Sequence, residues 1–237
     1  MSSVSLTPRL SAIASLVPSG SLVADIGTDH ALLPIYLIES GITERVIASD
    51  IVDGPLCSAK KNITAHNLGN KISVIKSDGL VKVYPFAPET VVIAGMGGET
   101  IRDIISACDY SLSGAPYFIL QPMTHTELLR RYLIESGFSI LSETLVREQH
   151  HFYVIIAAQY TPKQEHYFKC FDISNELIYE LGGITSQDGK DAADYLVWRR
   201  ETAIKTRDGL LKSQDSKDRA EYFCELISEI EQRLNLK

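Results

Sequence analysis

Val23-Ala24-Asp25-Ile26-Gly27-Thr28-Asp29-His30 is the stretch on which the fold turns: an apolar run ends in an acid and a glycine, and a helix-like segment, Ala31 to Glu39, follows directly. That order reads as strand, turn and helix start. A glycine lets the backbone turn tightly and approach a ligand, and a helix start offers unpaired N–H groups at the positive end of its dipole. Nucleotide-type ligands suit such a place. The turn lacks a complete G-x-G-x-x-G, with Asp29 where a further glycine belongs, which argues against NAD or FAD. Neither Asp25 to His30 nor Ala94 to Gly98 contains the G-x-x-x-x-G-K of a phosphate-binding loop. Of the adenosine ligands that remain, S-adenosylmethionine fits best.

Working outward, acids recur at the ends of apolar runs. Arg45 to Ala48 predicts a second strand ending in Ser49-Asp50, 25 residues after Asp25, where a doubly wound fold places the acid that holds ribose hydroxyls. A helix is expected from about Pro55 to Leu68. Lys71 to Ile75 then predicts a third strand ending in Ser77-Asp78-Gly79, where an acid and a glycine N–H can read an adenine. Thr90 to Ala94 has the continuous apolar character of a strand buried on both faces, and it stops abruptly in Gly95-Met96-Gly97-Gly98-Glu99. That run predicts a loop at the carboxyl end of a central strand, leading into a helix from Thr100 to Ala107. Tyr117 to Leu120, ending in Gln121-Pro122, is the fifth strand, and Glu127 to Ser136 is helical. Phe138 to Leu145 and His151 to Tyr160 follow without an intervening helix, so they should pair antiparallel.

Ahead of all this, Leu6, Leu10, Ile13, Ala14 and Val17 mark a helix lying against the sheet. Beyond Tyr160, Thr161 to Glu165 reads as a linker and Phe168 to Leu181 as a mixed segment. Residues 191–212 and 217–236 have helical spacing, and Ser213-Gln214-Asp215-Ser216 between them suggests an antiparallel helical hairpin. The expected architecture is α/β: a class I methyltransferase, Rossmann-like doubly wound sheet of five βα units and a closing hairpin in residues 1–160, with a coiled-coil-like helical hairpin in residues 161–237.

The 237 residues carry 45% hydrophobic side chains, enough for one α/β domain and an appendage. No apolar run of membrane-spanning length and no secretory leader pattern is visible, so the cytoplasm is the expected location and no membrane partner is expected. Cys57, Cys108, Cys170 and Cys224 lie far apart without histidines at ligand spacing, which predicts buried free thiols and no metal. A net charge of −7 is awkward for a nucleic-acid partner unless charge is segregated. Lys60-Lys61, Arg130-Arg131, and Arg199-Arg200 with Lys205 and Arg207 are the candidate local patches.

The ordered set Asp25-Ile26-Gly27-Thr28-Asp29-His30, Asp50 with Gly54-Pro55, Asp78-Gly79-Leu80, Ala94-Gly95-Met96-Gly97-Gly98, Ile101-Arg102-Asp103-Ile104 and Ile119-Leu120-Gln121-Pro122 resembles the TrmK family of bacterial tRNA (adenine-22-N1)-methyltransferases. The resemblance covers residues 6 to about 160, with the C-terminal helices agreeing in kind. It implies S-adenosyl-L-methionine as cofactor, N1 of an adenine in the D-arm region of tRNA as acceptor, and a coiled-coil-like appendage. Met123 departs from the polar residue found after Gln-Pro in some relatives. Glycines stand where related nucleobase methyltransferases carry Asp or Asn with Pro-Pro after the fourth strand, so base readout must come from elsewhere.

On this reading the cofactor is held by Asp25, Gly27, Asp29, Asp50, Asp78, Gly79, Ala94, Gly95, Met96 and Gly97. Arg9, Gly98, Gln121, Pro122, Arg199 and Arg200 belong to the tRNA side. Asp29 and His30 are the candidates for chemistry, because a carboxylate beside the reacting base would align it and stabilise its developing positive charge. A monomer or weak dimer is expected. The rival readings are a methyltransferase acting on another RNA or a small molecule, and a cofactor-binding RNA-binding protein without activity.

Overall fold

The computed structural model describes residues 4–109, 115–161, 176–212 and 217–235. The chain divides into two units, Met1–Lys169 and Cys170–Lys237. The expected linker from residue 162 onward, the start of the mixed segment at Phe168, Cys170 and the hairpin connection at 213–216 lie outside the described residues.

In the first unit the apolar runs become strands because alternate side chains need a buried face on each side of a sheet. Helix α1 (Pro8–Leu16) starts at Thr7, whose hydroxyl accepts from the Leu10 N–H, with Pro8 where a missing N–H costs nothing. The parallel strands are β1 (Val23–Ile26), β2 (Val46–Asp50), β3 (Ile72–Lys76), β4 (Thr90–Gly97) and β5 (Tyr117–Thr124). Helices α2 (Leu32–Glu39), α3 (Asp53–Ala65), α4 (Gly98–Ser106) and α5 (Thr126–Glu135) follow β1, β2, β4 and β5. Between β3 and β4 only a 3-10 turn, Tyr84–Phe86, appears, so four helices serve where five βα units were expected. Strands β6 (Phe138–Glu148) and β7 (His151–Tyr160) form the antiparallel closing pair.

The sheet order is β3-β2-β1-β4-β5-β7-β6. The chain builds outward from β1 to β3, then crosses back to lay β4 on the other side of β1, so the order reverses between β1 and β4. At such a switch point the connections leave the strand ends in opposite directions and open a crevice over the carboxyl ends. Val23, Ala24, Val91, Val92, Ile93, Ile119 and Leu120 form the fully buried floor beneath it. Each valine, isoleucine or leucine side chain among them contributes roughly 1.5–3 kcal/mol by leaving water. Helix α1 packs on β6, β7 and α2.

Two expectations about charge and thiols change. Arg130 is no surface cation: its side chain is 1% exposed and its Nε donates to Glu143 Oε1 at 2.6 Å. Cys57 and Cys224 are exposed rather than buried, and Cys108 is half-buried. On α3 the buried positions are Leu56, Ala59 and Ile63, so position 57 is turned toward solvent by the helical period.

The second unit contains α6 (Leu177–Leu181), α7 (Lys190–Leu210) and α8 (Lys217–Asn235), with α7 and α8 packed together as a hairpin. One facing helix covers only a narrow stripe. It holds Ala192, Tyr195, Leu196 and Ala203 of α7 and Ala220, Leu226, Ile227 and Ile230 of α8, while Trp198 and Cys224 fall outside it. Arg233 is buried in the same unit, where Nη1 donates to the Gly182 carbonyl at 2.6 Å and Nε to Glu229 Oε1 at 2.7 Å. Arg233→Ala would strip a partner from a buried carbonyl and should lower the unfolding free energy of this unit by about 2–4 kcal/mol. Urea melts of variant and wild type measure this, and coincident curves would mean that solvent serves that carbonyl equally well.

Candidate active site

The crevice between β1 and β4 contains a cavity of about 390 Å³ lined by Thr7, Arg9, Asp25, Gly27, Asp29, Ala94 and Gly95 among others. Its wall starts with the turn after β1. The Gly27 and Thr28 N–H groups both donate to the Ser49 carbonyl of β2, at 2.8 and 2.9 Å. Gly27 has φ +78°, the left-handed region that a side chain disfavours, and a Cβ there would collide with the Met96 methyl group. Helix α2 begins at Leu32, one residue later than the sequence suggests, because His30 and Ala31 are themselves left-handed at φ 57° and 55°. No side chain caps α2, and the Asn62 side-chain amide donates to the His30 carbonyl at 2.9 Å, bracing the turn.

The acids take different environments. Asp25 is buried, and burial pushes its carboxyl up to about 6; the neighbouring Thr28 hydroxyl pulls it down and the Asp50 charge pushes it up further. The pull from Thr28 is a weak one, since its buried hydroxyl, like that of Ser49, has no partner of good hydrogen-bond geometry among the described residues. Asp50 ends β2, and its Oδ1 accepts from the Val52 N–H at 2.7 Å, which fixes the carboxylate at the sheet edge. Asp29 is open to solvent at 77% exposure, with its Oδ1 3.3 Å from His30 Nε2. Asp78 and Gly79 line a second hollow of about 290 Å³ with Thr100, Asp103 and Ile104. Since β2 lies between β1 and β3, Asp50 stands between the end of β1 and the end of β3.

The glycine run after β4 is not a free loop. The strand continues to Gly97 with a bulge after Ala94, and Gly95, at φ +79°, donates its N–H to Gln121 Oε1 at 3.2 Å. Gly98 opens α4 with the His125 carbonyl directly where a Cβ would stand, so its smallness serves close packing of α4 on the end of β5. Gln121 is 0% exposed, with Nε2 donating to the Pro122 carbonyl at 2.8 Å, and Pro122 is buried too. Both therefore lie under the site surface. Gln121 Oε1 also accepts from Arg9 Nη1 at 2.6 Å, which draws the first helix into the cavity wall.

The structure thus gathers Asp25, Gly27, Asp29, Ala94, Gly95 and Arg9 round one cavity, with Met96 over the turn. His30 is beside Asp29, and Gly97 pairs with Thr124 on β5. Arg199 and Arg200 belong to the second unit; Arg199 Nη2 donates to Glu180 Oε2 at 2.6 Å, and the Tyr222 hydroxyl donates to the other oxygen of that carboxylate at 3.0 Å. Sequence reasoning missed Thr7 and Leu10 of the cavity wall and the orphaned hydroxyls of Thr28 and Ser49. The Thr7-Pro8 helix start was a visible signal; the hydroxyls gave none. Among the described residues no group of three or more His, Cys, Asp or Glu is placed to hold a metal ion.

Residues 6–156 match a family described as a methyltransferase domain. Over 159 residues, 67% of each chain, the sequence is 35% identical to the tRNA (adenine(22)-N(1))-methyltransferase of Bacillus subtilis (strain 168). The chain belongs to the TrmK family. Its fold matches a Streptococcus pneumoniae protein solved in complex with S-adenosyl-L-methionine, with TM-score 0.81 at 29% identity over 98% of this chain and 100% of that one. It also matches M. capricolum TrmK in complex with S-adenosyl-homocysteine, with TM-score 0.77 at 26% identity over 96% of both.

The raised carboxyl of Asp25 gives this TrmK-family chain a signature in pH. The folded state keeps a proton that the unfolded chain loses near pH 4, so the contribution of Asp25 is complete below about 4 and is lost as pH rises through about 6. Over that window the unliganded protein should lose up to about 3 kcal/mol relative to Asp25→Asn. Denaturation midpoints at pH 4 to 7 read the effect, and parallel curves for the two proteins would place the Asp25 carboxyl at its ordinary value.

Proposed function

We propose that this protein transfers a methyl group from S-adenosyl-L-methionine to N1 of adenine 22, in the D-arm region of tRNA, working in the cytoplasm as a monomer or weak dimer. The observation that carries the reading is the cavity at the β1–β4 switch point in a chain of this family. Its parts fit the cofactor: a left-handed glycine turn overlain by a flexible methionine, an uncapped helix start, one buried and one exposed carboxylate, and two buried hydroxyls without a partner of good hydrogen-bond geometry among the described residues. A volume of about 390 Å³ lies within the range of small-molecule sites.

The cofactor supplies an electrophilic sulfonium methyl that the adenine N1 lone pair takes up. The chain's own residues align the partners and balance charge. Asp50, fixed by the Val52 N–H, holds the ribose hydroxyls, and Asp78 with Gly79 receives the nucleoside base in the second hollow. Backbone of Gly27 and of Ala94 to Gly97 forms the close wall along the methionyl part. Asp29 faces the side where positive charge develops on the target base, with His30 as its neighbour. Methyl transfer belongs to residues 1–160. The helical unit from 161 to 237 grips tRNA through α7, on which Lys205 is exposed and Arg200 is half-buried, with Lys212 exposed just past its end.

Labelled methyl transfer to total tRNA, followed by nucleoside mapping, should yield 1-methyladenosine at position 22; label at another position, or none, would refute the proposal. Asp50→Ala should weaken cofactor binding by about 1.5–3 kcal/mol in calorimetry, the scale of hydrogen bonds to a charged group. In single-turnover kinetics with both ligands saturating, Asp29→Ala should slow transfer more than it weakens tRNA binding, and a wild-type rate would leave Asp29 without a chemical role.

A further inference from the structure

Arg9 is carried on α1, outside the sheet, yet it forms part of the cavity wall beside Asp25 and Asp29. Three contacts hold it there: its backbone N–H donates to Glu148 Oε2 at 3.0 Å, its guanidinium carbon lies 5.5 Å from the centre of the Tyr153 ring, and Nη1 donates to Gln121 Oε1 at 2.6 Å. Gln121 is a fixed post. It is fully buried, it also accepts from the Gly95 N–H, and its amide nitrogen is occupied by the Pro122 carbonyl. The guanidinium has five N–H donors in a rigid fork, and the bond to Gln121 uses one of them. Among the described residues no carboxylate forms an ion pair with it.

One cation and two carboxylates on the wall of a single cavity complement a zwitterion. A phosphodiester placed there would bring a further negative charge beside Asp25 and Asp29 with nothing cationic of its own to offset them. An α-amino acid group supplies both signs. We propose that Arg9 pairs with the α-carboxylate of the methionyl tail of the cofactor, that the buried Asp25 faces its α-ammonium, and that Gln121 is the positioning residue that aims the guanidinium. The proposal rests on the S-adenosyl reading of the cavity, and it moves Arg9 and Gln121 from the tRNA side to the cofactor side. It also explains why α1, a helix that is no part of the doubly wound sheet, is drawn against the crevice, since α1 then completes the cofactor site.

Two ligands separate the tail from the rest of the cofactor: S-adenosylhomocysteine, which has the amino-acid tail, and 5′-methylthioadenosine, which lacks it. By calorimetry on the full chain, Arg9→Ala should weaken the first on the order of ten- to a hundredfold and leave the second unchanged, which also shows that the site is still folded. Arg9→Lys should recover part of the loss, since it restores charge without the fork, and Gln121→Leu should show the same selectivity with a smaller effect. Equal loss for both ligands would mean that Arg9 only supports the fold. Unchanged S-adenosylhomocysteine binding with weakened tRNA binding would return Arg9 to the tRNA side. Should the wild-type chain bind neither ligand, the S-adenosyl reading itself would fall.

Discussion

Two backbone hydrogen bonds, from the Gly27 and Thr28 N–H groups to the Ser49 carbonyl, set the path of everything at the carboxyl edge of the sheet. Because both donors converge on the neighbouring strand, the chain cannot run straight from β1 into α2. It passes instead through two successive left-handed residues, His30 and Ala31, each costing on the order of 1 kcal/mol, before the helix can begin. Ala31 is fully buried and Asn62 braces the His30 carbonyl, which offsets part of that strain. The result is a helix start with no side-chain cap, beside a crevice that the reversal of strand order has already opened. Strain and an unsatisfied helix end are tolerated where a ligand can use them.

The charges at this edge follow the same logic. A buried carboxylate such as Asp25 is unfavourable in the empty protein and becomes favourable once a cation lies against it, so the site is less stable alone than when filled. The Arg130–Glu143 pair, equally buried between α5 and β6, is already neutralised within the protein and is structural. Arg9 resembles neither case. It is half-buried, anchored by Gln121 and Tyr153, and left with donors to spare.

In the second unit Arg199, Arg207 and Arg233 are engaged internally. Glu180 receives both Arg199 and Tyr222, Arg207 pairs with Asp208, and Arg233 serves the Gly182 carbonyl and Glu229. A two-helix hairpin has little apolar area to bury, so polar networks supply what its narrow stripe cannot. This limits which cations remain for phosphate. Lys205 on α7 and Lys212 just past its end are exposed, whereas Arg199, the first arginine of the pair seen in the sequence, is committed to Glu180.

Most of the doubly wound sheet was legible in the residues alone. Continuous apolar runs such as Val91 to Ile93, short and bounded by turn residues, read as strands covered on both faces, and Asp25, Asp50 and Asp78, at or just past the ends of strand-forming runs, fall on one edge because parallel strands all end on the same side. The closing hairpin was legible too, since no helical period separates Phe138 from Tyr160. Burial of polar groups was not. Arg130 read as part of a local basic patch, and its enclosure depends on Glu143 of another element; Arg233 carried no signal of its burial, which depends on the Gly182 carbonyl, 51 residues away. The glycines at the end of β4 signalled close approach, but whether to ligand or to protein was decided by the packing: Gly95 faces the cavity, while Gly98 faces the His125 carbonyl. Local sequence carries periodicity and turn chemistry, which determine the elements and the edge where they end. The meeting of Arg9 with Gln121, 112 residues apart, follows only from how α1 packs on the hairpin, because a long-range contact has no local signature.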